Sequence, residues 1–207
     1  MLNPYATFDC LSIGAKLQAS LGNVAPTELQ LFAYLSCLLS LYRQRPVAEW
    51  GYSFAGTEYG APFSPEINSA ITQLIIEGLL FEEDCYLKVT DEGQKEYRIL
   101  LSLSQNAQRE VFLEGACSSL LALPISIVRE ALHSEPGLRS ALKLNSTRML
   151  LSEGNPEMRM LYKQFETLGQ AIGMKVDNLM IPSVVWLTYL SQFRTTADIQ
   201  ENLPCQK

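Results

Sequence analysis

The sequence predicts a mainly α-helical protein with a small β-hairpin: a winged-helix N-terminal module followed by a helical C-terminal region. Three observations carry this. Apolar residues recur at helical spacing along most of the chain, most clearly at Leu31, Leu35, Leu38, Leu39 and Tyr42. Two short apolar stretches flank Glu83-Asp84-Cys85, which has the length of a hairpin turn. Finally, the order through residue 104 is helix, short strand, helix, hairpin, helix, the order of a winged helix.

Taken in turn, residues 4–9 read as irregular, and Ser12 to Leu21 read as a short helix stopped by Gly22 and Asn23. Thr27 opens the next helix, with Gln30 three residues later in capping-box position. Phe32 and Leu41 fall on the other faces of this helix, so burial nearly all round is expected. After Pro46, Glu49 to Phe54 alternates like a short strand, and a Gly- and Pro-rich loop continues to Phe63. Ser64-Pro65-Glu66 spells a helix start, with a capping serine, a proline at the first helical position and an acid in the first turn. Ile67, Ile71, Leu74 and Ile75 give that helix one apolar face, and Gly78 ends it. Leu79 to Glu82 and Tyr86 to Val89 form the hairpin, and Thr90 or Asp91 starts a helix running to Ser104.

Beyond Gln105 the pattern is helical with short breaks, roughly over 107–123, 125–133, 138–143, 156–174 and 182–193. Pro124, Glu135-Pro136-Gly137 and the stretch 145–154 are the punctuation. Residues 194–207 read as a polar, frayed tail. The expected organisation is therefore a winged-helix module over 1–104, a helical region over 105–193 and a tail over 194–207.

Several function classes are excluded by residue content. The most apolar stretch, Leu31 to Tyr42, is interrupted by Ser36 and Ser40 and falls far short of the ~20 residues a bilayer span requires. The first residues lack the basic and apolar regions of a secretory signal, so a cytoplasmic location without membrane contact is expected. Five cysteines lie singly with no C-x-x-C pair, and His133 is the only histidine, so neither a disulfide framework nor a Cys/His metal site is expected. His133 stands near a helix end, where a cation complements the helix C-terminus. Without a glycine-rich phosphate loop or a nucleophile with its base, no enzyme activity, cofactor or small-molecule substrate is expected.

Charge distribution is the most informative feature. A winged helix that reads DNA needs Lys and Arg on its recognition helix and wing to meet phosphates. Between Arg45 and Lys88 this chain has no Lys or Arg, whereas Glu49, Glu58, Glu66, Glu77, Glu82, Glu83 and Asp84 all lie there. Residues 1–104 hold 6 basic and 12 acidic side chains, net −6, and residues 105–207 hold 10 of each, net 0. Such a face repels a duplex.

The acidic half is instead aromatic. Trp50, Tyr52, Phe54, Tyr59, Phe63 and Tyr86 are candidate partner-binding residues, since aromatics with few cations around them anchor protein interfaces; core packing is the competing role for each. Arg139, Lys143 and Arg148 form the one basic group suited to touching a nucleic-acid backbone, with a mixed solvated face as its alternative. The acidic hairpin tip Glu82-Glu83-Asp84 reads as a guarded sheet edge rather than a metal site.

The helix Leu29 to Tyr42, the strand and loop Glu49 to Phe63, the helix Ser64 to Gly78 and the hairpin Leu79 to Val89 leading into Thr90-Asp91-Glu92-Gly93 resemble accessory subunits of bacterial SMC-type complexes. More narrowly, the layout is similar to the LmuC-like middle components of ABC three-component (Lamassu) anti-phage systems. The likeness covers about the first half of the chain, together with overall size and a helical second half. It implies a non-catalytic accessory subunit, acting by protein–protein contacts in anti-phage or anti-plasmid defence. Its partners would be an SMC-like ATPase and a nuclease effector, with DNA approached only indirectly through the complex. One departure is that SMC accessory proteins often carry two winged helices, and no second wing hairpin is legible after Gln105. The competing reading is a winged-helix transcriptional regulator or antitoxin.

Overall fold

The computed structural model describes residues 3–173 and 176–201, and from 193 onward the backbone alone. The protein is mainly helical with two small antiparallel sheets.

Helix α1 (Pro4–Leu21) begins eight residues earlier than its apolar spacing suggests. The signal lies in Asn3-Pro4: the Asn3 side chain accepts the N–H groups of Tyr5 and Ala6, and Pro4 occupies the first helical position. Helix α2 (Pro26–Tyr42) is buried on every face from Glu28 to Tyr42, as the apolar residues on all its faces predict. Its cap differs from the Thr27 and Gln30 expectation. Glu28 reaches back to the Ala25 N–H at 2.8 Å, so it occupies the third helical position and Thr27 merely faces solvent in the first turn. Gln30 instead clamps the entry to the next helix, donating to the Ser64 carbonyl at 3.1 Å and accepting the Ser64 N–H at 2.8 Å.

The expected strand over 49–54 is not one. Val47–Trp50 is a 3-10 turn, and the backbone pairs only further on, where β1 (Ala55–Gly56) meets β2 (Pro62–Phe63). The alternation that suggested a strand is genuine in burial, since Trp50, Tyr52 and Phe54 point inward while Gly51 and Ser53 do not. Gly51, however, takes a left-handed conformation at φ +88° against the Tyr5 ring, which breaks any ladder.

Helix α3 (Pro65–Ile76) buries Ile67, Ala70, Ile71 and Leu74. Ser64 sits at its cap position, but its hydroxyl donates to Glu66 at 2.9 Å rather than capping the backbone. Strands β3 (Leu80–Glu83) and β4 (Tyr86–Val89) pair through a two-residue turn in which Asp84 and Cys85 both have positive φ. Val24, between α1 and α2, bridges Leu87 on the free edge of β4. Helix α4 (Asp91–Leu101) is capped by Thr90, whose hydroxyl accepts the Gly93 N–H at 3.0 Å. It stops at Leu101 and a new helix, α5 (Ser104–Cys117), begins, continued by a 3-10 turn over Ser118–Leu121.

The remaining helices are α6 (Ile125–His133), α7 (Pro136–Leu144), α8 (Pro156–Ile172) and α9 (Met180–Glu201). Between α7 and α8, expected only as punctuation, β5 (Arg148–Met149) pairs with β1 and completes a three-stranded sheet in the order β2-β1-β5. The expected frayed tail is corrected in part: α9 continues through Glu201, while residues 202–207 lie outside the described residues.

The hydrophobic core is one cluster running from Ala6 to Leu190, continuous across residue 104. Helix α5 packs on α1 and α2, α8 packs on α2, and α9 packs on α5 and α6. The buried helix α2 is thus the post around which both halves assemble. Among the described residues no single helix is long and apolar enough to cross a membrane.

Candidate functional site

The most concentrated polar chemistry among the described residues lies inside the fold. Arg109, in the first half of α5, is 6% exposed and meets the fully buried Asp9 of α1. Its Nε donates to Asp9 Oδ1 and its Nη2 to Asp9 Oδ2, both at 2.6 Å, the bidentate geometry that matches a planar guanidinium to a carboxylate. Nη1 donates to the Trp50 carbonyl at 2.8 Å, and the Tyr52 hydroxyl donates to Asp9 Oδ2. The Trp50 ring lies against the guanidinium, 3.6 Å from centroid to Cζ, and the Tyr5 and Tyr52 rings stand at 5.1 Å and 5.4 Å. Burial opposes the charge on Arg109, but Asp9 outweighs it and holds the guanidinium more firmly cationic than usual. Burial, then the Asp9 charge, push the Tyr52 phenol well up, so it stays protonated. Asp9 Oδ2 accepts two of these bonds and Oδ1 one, so the carboxylate is engaged within the chain and the group acts as a clamp joining α1, α5 and the 47–54 segment.

A second network joins α1, α4 and α5. Lys16 pairs with Glu110 at 2.7 Å and Glu114 at 2.5 Å, while Ser12 and Tyr97 donate to the two Glu110 oxygens at 2.7 Å and 2.8 Å. Burial pulls the Lys16 ammonium down, yet the two carboxylates prevail and raise it. Elsewhere, Glu135 is buried at the start of α7 and accepts the Leu138 N–H at 2.8 Å. Burial raises its carboxyl, opposed by the Gly137 and Leu138 N–H groups and the Tyr34 hydroxyl.

Of the six aromatic residues expected to bind a partner, Trp50, Tyr52 and Phe54 are buried in this chain's own core, which corrects that expectation. Trp50 and Tyr52 wall the Arg109 cation, and Phe54 packs edge-on against Tyr34 at 5.2 Å. Tyr59, 76% exposed, sits in the turn between β1 and β2, and Phe63 and Tyr86 are also exposed. By the β3–β4 register, Phe81 and Glu83 share the outward face of the hairpin with Tyr86 and Lys88. Lys88, on that face, is paired with Glu83 at 2.9 Å. The exposed positions of α3 are Pro65, Asn68, Ser69, Thr72 and Ile76, none of them cationic.

The basic group is dispersed in role. Arg148 donates to Ser140 at 2.5 Å and pairs with Glu157 at 3.3 Å, so it braces α7 against α8. Lys143 is exposed, and Arg139, one turn before it, borders a groove between α8 and α9. Among the described residues no three His, Cys, Asp or Glu side chains converge as a metal site. Cys10, Cys37 and Cys117 are buried thiols pushed up by burial, Cys85 is exposed, and Cys205 lies outside the described residues.

The residues missed in the sequence are Asp9 and Arg109, a hundred positions apart, and no local pattern links them. The one available signal is an acid inside an apolar helical stretch, Phe8-Asp9-Cys10-Leu11, where burial of a carboxylate demands a partner. Comparison of the chain with protein-family models, curated proteins and solved structures finds no match.

Proposed function

We propose that the chain is a non-catalytic scaffold subunit that holds partner proteins through a winged-helix module over residues 1–104. The carrying observation is the surface of α3 and the β3–β4 hairpin. Where a DNA-reading module presents unpaired cations, this one presents Phe81, Tyr86 and Ile76 among Glu77, Glu82, Glu83 and Asp84. The winged-helix reading draws support from the Val24–Leu87 bridge, a single antiparallel contact by which the segment between the first two helices meets the second wing strand.

In its narrower form the proposal places the chain, in the cytoplasm, between an SMC-like ATPase and a nuclease effector in anti-phage or anti-plasmid defence, with DNA reached only through those partners. This narrower form rests on the resemblance of layout. The alternative, a transcriptional regulator or antitoxin, requires the same α3 surface to enter a groove, against its charge.

Two measurements decide between them. Co-expression with an SMC-like ATPase and nuclease is expected to yield a stable complex that a Phe81→Ser/Tyr86→Ser variant does not form. Titration of the isolated chain with a labelled duplex at low salt is expected to show no saturable binding. Tight duplex binding lost on substituting exposed α3 residues would overturn the proposal.

A further inference from the structure

Helices α8 and α9 flank a groove of about 520 Å³, within the roughly 300–1,000 Å³ typical of small-molecule sites. Met160, Leu168 and Ala171 of α8 face Val185, Trp186 and Tyr189 of α9, and the α6–α7 corner also lines the groove. On α8 the lining positions 160, 163, 164, 167, 168 and 171 follow helical spacing, a face about 16 Å long at ~1.5 Å per residue. Met160, Val185 and Tyr189 are exposed here although large and apolar, surface that a ligand would remove from water.

Trp186 is held by its Nε1 donating to Gln164 at 3.1 Å, and its ring packs on Phe165 at 5.2 Å, so contacts within the chain fix the floor of the groove. Among the described residues the only charged side chains lining the groove are Arg139 and Lys163. Among the described residues neither makes an ion pair, in contrast to Lys16, Lys88, Lys95, Arg109, Arg129 and Arg148. An apolar floor bordered by two uncompensated cations selects a molecule with an apolar body and a negative head.

We propose that this groove binds one small amphiphilic anion, an aliphatic or aromatic carboxylate, with its head on Arg139 and Lys163 and its body over Trp186. This site is separate from the α3 and hairpin surface and does not depend on the scaffold reading.

The test uses three probes with the same ten-carbon tail, each kept below its micelle concentration: decanoate, decylammonium and decyl maltoside. Trp186 reports on the groove, and its fluorescence is followed alongside the melting temperature of the full chain. Decanoate is expected to give a saturable change and a concentration-dependent rise in melting temperature, and the other two probes neither. Arg139→Gln/Lys163→Gln is expected to weaken decanoate at least tenfold while its ligand-free melting temperature stays that of the parent. Ala171→Trp, which fills the groove from an exposed position, is expected to abolish binding. Equal responses to all three heads, no saturable response to decanoate, or undiminished binding by both variants would overturn the proposal. Should one variant fail to fold, the other carries the comparison.

Discussion

Asp9 and Arg109 form a buried bidentate ion pair whose cation lies on the Trp50 ring, so one contact fixes α1, α5 and the 47–54 segment together. Removing one partner leaves an uncompensated charge in the core, a loss of about 3–5 kcal/mol. Asp9→Ala or Arg109→Ala is therefore expected to lower unfolding free energy by that amount in urea denaturation. Asp9→Leu/Arg109→Met, which removes both charges while keeping volume, is expected to be more stable than either single variant.

Glu135 gives a pH signature. Burial raises its folded-state carboxyl above the ordinary glutamate value of 4.5, so the folded chain prefers the protonated form. The stability it contributes is fully present below that ordinary value and is lost as pH rises through the folded value. Glu135→Gln keeps an acceptor for the Leu138 N–H and does not ionise. The parent is thus expected to lose melting temperature relative to the variant as pH rises above about 4.5, with no further change in the difference below it. A constant difference across pH would show that Glu135 holds its proton equally well in the folded and unfolded chains, with no shift on folding.

Gly93 marks where α4 meets the hairpin. A Cβ there would lie 2.2 Å from the Leu79 carbonyl oxygen, backbone that cannot turn aside, and 2.9 Å from a Val89 side-chain methyl. Gly93→Ala is expected to destabilise by roughly 1–3 kcal/mol despite alanine's better helix propensity, measured by thermal or urea unfolding. A gain in stability would mean that α4 can move off the hairpin at little cost.

The aromatic residues divide by role. Trp50→Ala is expected to cost about 3–5 kcal/mol, since it empties a core site and uncovers the Arg109 cation. Tyr59→Ser, Phe81→Ser and Tyr86→Ser are each expected to stay within about 0.5 kcal/mol of the parent in stability, because their rings are exposed. Under the scaffold reading Phe81→Ser and Tyr86→Ser also reduce co-purification with a partner, a readout that stability alone leaves unmoved.

Much of the secondary structure is legible because it is written locally. Ser64-Pro65 marks the start of α3, the apolar residues on all faces of α2 mark its burial, and Glu83-Asp84-Cys85 marks the hairpin turn, although Glu83 pairs with Tyr86 as the end of β3 and the turn itself is Asp84-Cys85. The start of α1 is equally local but is carried by Asn3-Pro4 rather than by apolar spacing. The 49–54 segment shows the opposite case. Its alternation correctly separates inward from outward side chains, yet strand pairing requires a neighbouring backbone, and the neighbours of β1 are Pro62-Phe63 and the distant Arg148-Met149.

What the chain's residues determine alone is the helical content, the hairpin and the lack of Lys and Arg between positions 45 and 88, because periodicity, turn chemistry and charge are properties of short windows. Only the tertiary structure decided which aromatic residues face outward, that Asp9 meets Arg109, and that Arg139 and Lys163 border an apolar groove. Those outcomes depend on contacts between segments far apart in sequence. Such contacts are selected by whole-chain packing, where burying a charge is tolerated only once its partner has been brought to it.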